Sequence, residues 1–444
     1  MNLKIRAERW LALVMLLSLL LSLFVACDYT ASVPDHVDAN DDGVCDECQS
    51  RVTVTLKLYA INDMHGMLMD SESQPGVDEL TTWMKQQYAD TAAYELLLSS
   101  GDMWQGSAES GIYNGALITE WMNELDVVSM TLGNHEFDWG VDAIYQNLAL
   151  AEFPFLAINV RDGSGNTVDY CQPSVIVERG GVRIGIIGAI GDCLSSISGE
   201  FTDDLQFVVG NALTKLVQDE AQRLREQGCD LVIYSLHDSY EECYDTVLSN
   251  RNSGKGYVDI VFEGHTHRTY IVEDDYGVFH VQSGGNNAAI GCVCVEYNTV
   301  NDTYDIERQD VSHIRSSVYG ASTISDDAIV QQLMDRYFPD DEDESTPENP
   351  YTEALGYNST QRNGSVILKK VSELYLQKGE ERWGQQYEIA VGGGYMTVRS
   401  PKKLTVGEVT YADLYTLLPF DNRIVLGRIR GAKLKSAFVY TKNS

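Results

Sequence analysis

Five short clusters of polar side chains each follow an apolar run of this sequence, and together they could bind divalent metal ions. Their candidate ligands are Asp63, His65, Asp102, Asn134, His237, His265 and His267. These side chains offer hard oxygen or borderline nitrogen and no sulfur, which suits Zn, Mn, Mg or Fe rather than a thiolate centre. Seven ligands are too many for one tetrahedral ion, so the set predicts two ions with Asp102 as a bridge. Two ions about 3.5–4 Å apart can hold a hydroxide and clamp the attacking and leaving oxygens of an in-line displacement.

The apolar runs before these clusters are predicted strands of an α/β fold. Strands that alternate with helices indicate mixed sheets with helices outside, and open α/β folds place their ligands at the carboxyl edge of a sheet. The predicted strands are Val52–Ile61, Glu95–Ser100, Leu125–Thr131, Phe155–Val160, Val182–Ile190, Asp230–Leu236, Tyr257–Phe262 and Val278–Gln282. The predicted helices are Val77–Asp90, Leu117–Leu125 and Asn211–Gln227.

The composition is that of an acidic globular protein. Its 444 residues suffice for two or three domains, and 44% hydrophobic residues provide a full core. Asp and Glu outnumber Lys and Arg by 66 to 32, for a formal charge of -34 at pH 7, which argues against a nucleic-acid polymer as partner. A site for a small anionic substrate would need local positive charge, most simply from metal ions.

The first residues are typical of an export signal. Lys4, Arg6 and Arg9 form a basic region, and the apolar run Leu11–Val25 is short for a membrane span. The run ends in a small residue before Cys27, as in bacterial lipoprotein signals, which predicts lipidation of Cys27. The protein would then be exported and anchored by lipid alone to the outer face of the cytoplasmic membrane or the cell surface. An ordinary signal peptide and an uncleaved anchor are the alternatives.

The segment 28–51 has three interpretations. Asp38, Asn40, Asp42 and Gly43 follow the opening spacing of a calcium loop, although no acidic residue closes it at the expected place. His36, Cys45 and Cys48 could instead form part of a zinc site without an evident fourth ligand. The simplest interpretation is an acidic, flexible spacer between the lipid and the rest of the protein.

The composition and the motifs predict how the chain divides into domains. An acidic, proline-marked stretch near Asp340–Pro350 indicates a linker. The predicted division is a signal peptide at 1–27, a spacer at 28–51, a catalytic domain at 52–322, a linker at 323–351 and a smaller C-terminal α/β domain at 352–444.

The motifs NDMHG, GDMWQGS, GNHEFD and EGHTH, with the strand end at His237, resemble those of the calcineurin-like metallophosphoesterases. In detail they resemble the secreted bacterial 5′-nucleotidase family, which includes UDP-sugar hydrolases and 2′,3′-cyclic-nucleotide phosphodiesterases. The resemblance implies a four-layer sandwich of two mixed sheets flanked by helices. It implies two ions, the first held by Asp63, His65, Asp102 and His267, and the second by Asp102, Asn134, His237 and His265. It also implies a catalytic dyad of His135, which would stabilise phosphoryl charge and assist the leaving group, and Asp138, which would orient it.

The C-terminal region resembles the substrate domain of the same family, with departures. Thr405–Lys435 implies that Phe420 stacks on a base and Asn422 bonds to it, whereas Phe420 could also be a core aromatic. The family's glycine motif usually ends in a phosphate-binding arginine, and Met396 stands at that position. Arg399 could supply the charge from three residues further on. Relatives continue beyond Ser444 with a second stacking aromatic, so this domain is expected to be incomplete.

The function predicted from these features is a dinuclear-metal phosphohydrolase that converts nucleotides to nucleoside and phosphate. A 2′,3′-cyclic-nucleotide phosphodiesterase or a UDP-sugar or pyrophosphate hydrolase is the alternative within enzymes, because Met396 and the short C-terminus alter the specificity region. A surface binding protein with a vestigial site is the alternative outside enzymes. The expected partner is a nucleotide or related phosphorylated small molecule, and no protein partner is predicted.

Overall fold

The computed structural model describes residues 37–41, 43–46, 51–68, 75–88, 94–193, 196–197, 204–239, 257–275, 277–321, 324–338, 353–387, 403–419 and 424–440. The predicted signal peptide with Cys27, and the predicted substrate residues Arg399, Phe420 and Asn422, lie outside these ranges. Within the ranges, no helix combines the length and apolarity that crossing a bilayer requires. The chain divides into two compact units, Met1–Thr55 with Glu296–Asp305, and Leu56–Val295 with Ile306–Ser444.

Strands and helices alternate along the described chain. The strands are β1 (Thr53–Ile61), β2 (Glu95–Ser99), β3 (Val127–Thr131), β4 (Phe155–Leu156), β5 (Val160–Asp162), β6 (Ser174–Arg179), β7 (Val182–Ile190), β8 (Leu205–Phe207), β9 (Leu231–His237), β10 (Ile260–Glu263), β11 (Thr269–Glu273), β12 (Phe279–Ser283), β13 (Ala289–Asn298), β14 (Thr303–Asp305), β15 (Val311–Arg315), β16 (Ala354–Asn358), β17 (Arg362–Asn363), β18 (Lys403–Leu404) and β19 (Gly407–Thr410). The α-helices are α1 (Val77–Tyr88), α2 (Ala108–Ile112), α3 (Ala116–Glu124), α4 (Val141–Leu148), α5 (Gly210–Glu226), α6 (Ser316–Tyr319), α7 (Ala328–Tyr337), α8 (Gly364–Trp383), α9 (Tyr411–Leu417) and α10 (Gly431–Tyr440).

Two mixed sheets form the centre of the fold. The first has the order β14-β13-β1-β2-β3-β4, with β15 paired to β13, and its strands β1 to β4 run parallel. The second has the order β11-β12-β10-β9-β7-β6, and its four inner strands run parallel between two antiparallel edges. All five residues of β2 are buried, as expected for a central parallel strand. The carboxyl ends of the inner strands therefore collect at one edge of each sheet.

The two sheets pack face to face and helices cover them outside. Thr131 Oγ1 on β3 donates a hydrogen bond to Ser235 Oγ on β9 at 2.7 Å, which joins the sheets near their carboxyl ends. Helix α5 buries Leu213, Val217 and Leu224 on the face that packs against the second sheet, at the spacing that helices use to cover a sheet. The α/β fold predicted from the sequence, with two mixed sheets between helices, is confirmed.

Most predicted elements occur within a few residues of their expected bounds, and the run Phe155–Val160 is the main difference. Strand β4 ends at Leu156, because the backbone N–H of Ile158 donates to Gly188 O in the second sheet at 2.8 Å. The amide of Asn159 then bonds to both backbone groups of Ile190. The apolar pattern identified a buried segment and could not show that it passes from one sheet to the other.

The stretch predicted as a linker contains helix α7. Asp327 caps this helix by accepting the backbone N–H groups of Ile329 and Val330, and Val330 and Leu333 are buried. Lys85 on α1 pairs with Asp327 at 3.1 Å. The sequence analysis did not predict this short amphipathic helix, because the acidic and proline-rich stretch that follows it, Asp340–Pro350, indicated a linker.

The described part of the N-terminal segment packs against the Glu296–Asp305 hairpin of its own unit. Asp38 is buried, and its Oδ2 accepts hydrogen bonds from Gly43 N at 2.9 Å and Asn298 Nδ2 at 2.6 Å. Asn298 also donates to Asp41 Oδ1 at 2.9 Å. These contacts differ from the flexible spacer expected from the sequence, while Asp42, Cys48 and His36 lie outside the described residues.

Candidate metal centre

The structure brings all seven predicted ligands to the carboxyl ends of the parallel strands. They belong to five segments: Asp63 and His65 after β1, Asp102 after β2, Asn134 after β3, His237 at the end of β9, and His265 and His267 after β10. Five of them are fully or almost fully buried: Asp63, His65, Asp102, Asn134 and His237. Residues more than two hundred positions apart in sequence, such as Asp63 and His267, thus meet at one edge of the two sheets.

One group of candidate ligands consists of Asp63, His65 and His267. The Nε2 atoms of His65 and His267 lie 2.8 Å apart, and His267 Nε2 is 3.5 Å from Asp63 Oδ1. One ligand atom from each of the three residues lies within 4.8 Å of the others. This spacing is short enough for one ion to reach all three atoms at ordinary metal–ligand distances of about 2.0–2.2 Å.

The second group consists of Asp102, His237 and His265, whose ligand atoms also lie within 4.8 Å of one another. His237 Nε2 is 3.2 Å from Asp102 Oδ2, and the Asn134 amide oxygen lies 2.9 Å from His265 Nδ1. Asp102 also groups with His65 and His135. The Asp102 carboxylate is therefore shared between the two sides of the centre, as a bridging ligand would be.

Backbone carbonyls orient two of the imidazoles. His65 Nδ1 bonds to Gln105 O at 2.8 Å, and His237 Nδ1 bonds to Ser100 O at 2.8 Å. Each bond keeps a proton on Nδ1, so that Nε2 is the nitrogen directed at the centre. Metal-binding histidines are commonly held in this way.

A buried polar atom without a partner also fits a bound ligand at this centre. Asn134 is fully buried, and its Nδ2 has no hydrogen-bond partner among the described residues. Its Oδ1 meanwhile faces His237 and His265. Buried polar groups are normally satisfied, so an orphaned amide beside two imidazoles fits a site that takes up ions and an anionic substrate. The donor set, oxygen and imidazole nitrogen without sulfur, also suits divalent ions.

The backbone at the centre is held in an unfavourable conformation. Five of the seven candidate ligands have positive φ angles between 49° and 73°: Asp63, His65, Asp102, His265 and His267. Each such residue costs about 1–2 kcal/mol, and such outliers cluster at functional sites. Gly133 is required for a different reason, because a Cβ there would overlap Asp102 and lie 2.8 Å from His237 Cε1.

The ionisable groups at the centre have strongly shifted pKa values. Burial raises the pKa of Asp63 to about 7 and lowers that of His265 to about 4. Burial also opposes ionisation of Asp102, but the neighbouring His237 and His135 hold its pKa well below the usual value. The Asp102 carboxylate in turn outweighs burial and raises the pKa of His237 to about 10. Bound cations would neutralise the buried carboxylates, as bound protons do when no cation is present.

His135 and Asp138 form a pair beside the candidate ligands. The short 3₁₀ turn His135–Phe137 places both side chains on one side, with His135 Nδ1 2.6 Å from Asp138 Oδ2. The backbone N–H of His135 donates to Asp102 Oδ1 at 2.8 Å, and the His135 ring centroid lies 5.2 Å from that of His65. An imidazole oriented by a carboxylate in this way can hold or deliver a proton at Nε2.

Sequence reasoning missed Glu136, which lies between two predicted site residues. Its carboxylate is fully buried and accepts the backbone N–H groups of Gly133, Asp102, Met103 and Trp104 at 2.6, 2.9, 2.8 and 3.3 Å. The only hint in the sequence was the place of this glutamate inside a motif of candidate metal ligands. Its burial, which the structure shows, indicates a structural role, because glutamate is almost never fully buried without partners.

The C-terminal segment reaches this region through helix α9. Thr410 and Asp413 form a capping box that begins the helix. After it, Pro419 O accepts a hydrogen bond from Gln105 Nε2 at 2.5 Å, and Gln105 is the residue whose carbonyl orients His65. The residues predicted to contact substrate, Phe420 and Asn422, follow Pro419 directly in sequence and lie outside the described ranges.

Comparison with known protein families agrees with this arrangement. Residues 56–269 match the calcineurin-like phosphoesterases, and residues 369–444 match the 5′-nucleotidase C-terminal domain. The chain contains a calcineurin-like phosphoesterase domain. This phosphoesterase carries a 5′-nucleotidase C-terminal domain and is a metal-dependent phosphoric ester hydrolase of the 5′-nucleotidase type.

The phosphoesterase has distant relatives among nucleotidases. It is 25% identical to the 5′-nucleotidase of Rattus norvegicus over 431 residues, which covers 87% of this chain and 71% of the rat protein. It is 24% identical to the snake venom 5′-nucleotidase of Naja atra over 377 residues, covering 78% of this chain and 68% of the venom protein.

Solved structures share the fold of the phosphoesterase. The 5′-nucleotidase precursor from Thermus thermophilus matches with a TM-score of 0.60 at 20% identity, over 83% of this chain and 74% of that one. The NAD nucleotidase of Haemophilus influenzae matches with a TM-score of 0.56 at 19% identity, over 83% of this chain and 75% of that one. At these identities the likeness establishes the architecture alone.

Proposed function

We propose that this phosphoesterase is an extracytoplasmic enzyme with two divalent ions that hydrolyses nucleotide phosphoesters to nucleoside and phosphate. The observation that carries the proposal is the convergence of seven oxygen and nitrogen ligands into overlapping groups that are linked through His65 and Asp102. The two sets of ligands are those that the sequence motifs imply: Asp63, His65, Asp102 and His267, and Asp102, Asn134, His237 and His265.

Bound divalent ions would supply positive charge for the phosphoryl oxygens and would lower the pKa of a water molecule. The side chains of the protein perform the remaining tasks. Asp102 lies between the two groups of candidate ligands, and its Oδ1 accepts a hydrogen bond from the backbone N–H of His135. The buried Nδ2 of Asn134 is available to donate a hydrogen bond to an anionic substrate. His135 keeps its Nε2 at the centre because Asp138 engages Nδ1.

In the proposed reaction, the oxygen of water forms a new bond to phosphorus while the bond from phosphorus to the ester oxygen breaks. The leaving ester oxygen takes the proton that His135 holds at Nε2, and the proton lost by water leaves the site. Asp138 stabilises the protonated imidazole and keeps the ring in the productive orientation. A positioned acid of this kind contributes about 10²–10⁴-fold to the rate.

Nucleotide specificity is assigned to the C-terminal domain. Phe420 would stack on the base, Asn422 would bond to it, and Arg399 would contribute positive charge. The contact between Gln105 and Pro419 supports this assignment, because it places the chain just before Phe420 next to a residue that orients His65.

The test is phosphate release from a panel of AMP, 2′,3′-cyclic AMP, UDP-glucose and NAD by the purified chain with Mn²⁺ or Zn²⁺. We expect AMP to be the preferred substrate and chelation to abolish turnover. The variant D102A should lose activity by at least about 1,000-fold, since bound ions contribute several kcal/mol to the transition state. Absence of phosphoester hydrolysis with either metal would refute the proposal. Preference for the cyclic nucleotide or for the pyrophosphate compounds would establish the alternative activity instead.

Export and lipid anchoring form a separate part of the proposal, supported by the basic and apolar residues before Cys27. Expression in a bacterial host should yield a membrane-associated protein that incorporates labelled palmitate. The variant C27S should not incorporate the label. Equal labelling of both proteins would exclude lipidation at Cys27.

A further inference from the structure

The side chain of Gln282, near the end of β12, is fully buried beneath the turn that carries His265 and His267. Its Oε1 accepts hydrogen bonds from Thr266 Oγ1 at 2.7 Å and from Arg268 N at 2.8 Å. Its Nε2 donates to Gly264 O at 2.7 Å. A single amide thus contacts the residues before, between and after the two histidines.

This turn needs support from outside itself. His265 and His267 have φ angles of +73° and +55°, in the left-handed region that is unfavourable for side chains other than glycine. The backbone within the turn provides one local bond, from Thr266 N to Gly264 O at 2.9 Å. Strained residues persist where the surrounding structure fixes them, and the amide of Gln282 supplies three of the fixing contacts.

The residues that follow Gln282 support a second loop of the centre. Asn62 Oδ1 accepts a hydrogen bond from Ser283 N at 3.2 Å, and Asn62 Nδ2 donates to Gly284 O at 2.6 Å and to Asp63 Oδ2 at 2.7 Å. The end of β12 therefore lies between the loop that carries Asp63 and the turn that carries His265 and His267. It sets the spacing between these candidate ligands.

We propose that Gln282 is a positioning residue for the metal centre. It holds the His265–Thr266–His267 turn in the conformation that directs both imidazoles at the ions, and it does not itself contact ion or substrate. The inference rests on the proposed metal-binding role of these histidines. Loss of an outer hydrogen-bond partner of metal-binding residues typically lowers metal affinity by about 10–100-fold, and we expect an effect of this size in Q282A.

The experiment measures the affinity of the purified full chain for Mn²⁺ and Zn²⁺ by competition with a chromophoric chelator, together with urea unfolding of the metal-free protein. The matched control is N147A. Asn147 is also a buried amide, bonded to Thr119 Oγ1, Asn114 O and Ala143 O, and it makes no contact with the candidate ligands. Both variants should lower the stability of the metal-free protein, whereas only Q282A should lower metal affinity. Metal affinity of Q282A within twofold of wild type, or an equal loss in N147A, would overturn the proposal.

A milder pair of variants covers the case in which Q282A fails to fold. T266V removes the hydroxyl that donates to Gln282 and keeps the size of the side chain, while T266S keeps the hydroxyl. We expect T266V to bind metal several-fold more weakly and T266S to bind like wild type. Equal affinity of T266V and wild type would contradict the positioning role. The wild-type chain serves to separate the two proposals. If it bound neither ion, the proposed metal-dependent function would fail, and the role of Gln282 would fail with it. Wild-type binding with unchanged variants would refute the Gln282 inference alone.

Discussion

The carboxylate of Glu136 accepts the backbone N–H of Asp102 at 2.9 Å, and in this way the motif after β3 fixes the loop after β2. The same carboxylate accepts three further N–H groups, from Gly133, Met103 and Trp104. Asp102 occupies a left-handed conformation with φ of +55° and presents its side chain to both groups of candidate ligands. The position of Asp102 therefore depends on a buried glutamate that contacts none of the other candidate ligands through its side chain in the described structure.

The variant E136Q should destabilise the protein and weaken its metal centre. The glutamine amide would direct a donor at backbone N–H groups that need an acceptor, and each unsatisfied buried donor costs about 1–3 kcal/mol. We expect the free energy of unfolding to fall by about 2–4 kcal/mol in urea titrations and metal affinity to fall by at least tenfold. E220Q is the control, because Glu220 is a mostly buried carboxylate paired with Arg223 away from the centre. Unchanged metal affinity in E136Q would contradict the role of Glu136.

The variant D138N should lower kcat and leave metal content unchanged. Asp138 bonds His135 Nδ1 at 2.6 Å, and an amide of the same shape cannot stabilise a protonated imidazole as a carboxylate does. We expect kcat for AMP to fall by about 10²–10⁴-fold with little change in KM. Metal analysis of the same preparation is the control. An activity within threefold of wild type would remove His135 from the role of acid.

The variant Q105A should impair nucleotide binding more than chemistry. It removes the bond from Gln105 Nε2 to Pro419 O and keeps the carbonyl that orients His65. One such bond contributes about 1 kcal/mol, so KM for AMP should rise about fivefold. KM for p-nitrophenyl phosphate, which has no base for the C-terminal domain to recognise, should stay the same. An equal rise for both substrates would show that the loss lies at the metal centre instead.

The buried His280 should make stability depend on pH. Its Nδ1 lies 3.0 Å from Glu263 Oε1 and its Nε2 lies 3.8 Å from Asp274 Oδ2, and Tyr270 OH donates to the same glutamate. Burial lowers the pKa of His280, but Asp274 and Glu263 outweigh it and raise the pKa from 6.5 to about 9. Because the folded-state pKa is the higher one, this stabilisation is complete below pH 6.5 and is lost as the pH rises through about 9.

The measurement compares the free energy of unfolding of wild type and H280Q between pH 6 and 9.5, both without metal. The advantage of wild type should shrink by roughly 3 kcal/mol over this interval, from about 1.4 kcal/mol for each unit of pKa. The comparison with H280Q cancels the titration of groups elsewhere in the chain. A difference that stays constant with pH would show that His280 is neutral in the folded protein.

The sequence alone determined which side chains could bind metal and where the strands before them lie. The type of residue decides which atoms can bind a metal ion. Local apolar patterns mark the strands, among them Val182–Ile190 and the segments before Asp63, Asp102 and Asn134. Because parallel strands deliver their ends to one edge, the convergence of the clusters followed from the α/β pattern. The sequence could not show that the apolar run after Phe155 crosses between sheets.

Only the tertiary structure decided how those ligands are held. Glu136 supports Asp102 through backbone N–H groups, and Gln282 supports the histidine turn through a neighbouring strand, so neither role has a local sequence pattern. The same holds for helix α7 and for the packing of Asp38 against Asn298. Hydrogen bonds between distant segments depend on sheet order and register, which arise only when the whole core is packed. Residue types set the possible chemistry, and long-range packing sets the geometry in which it can occur.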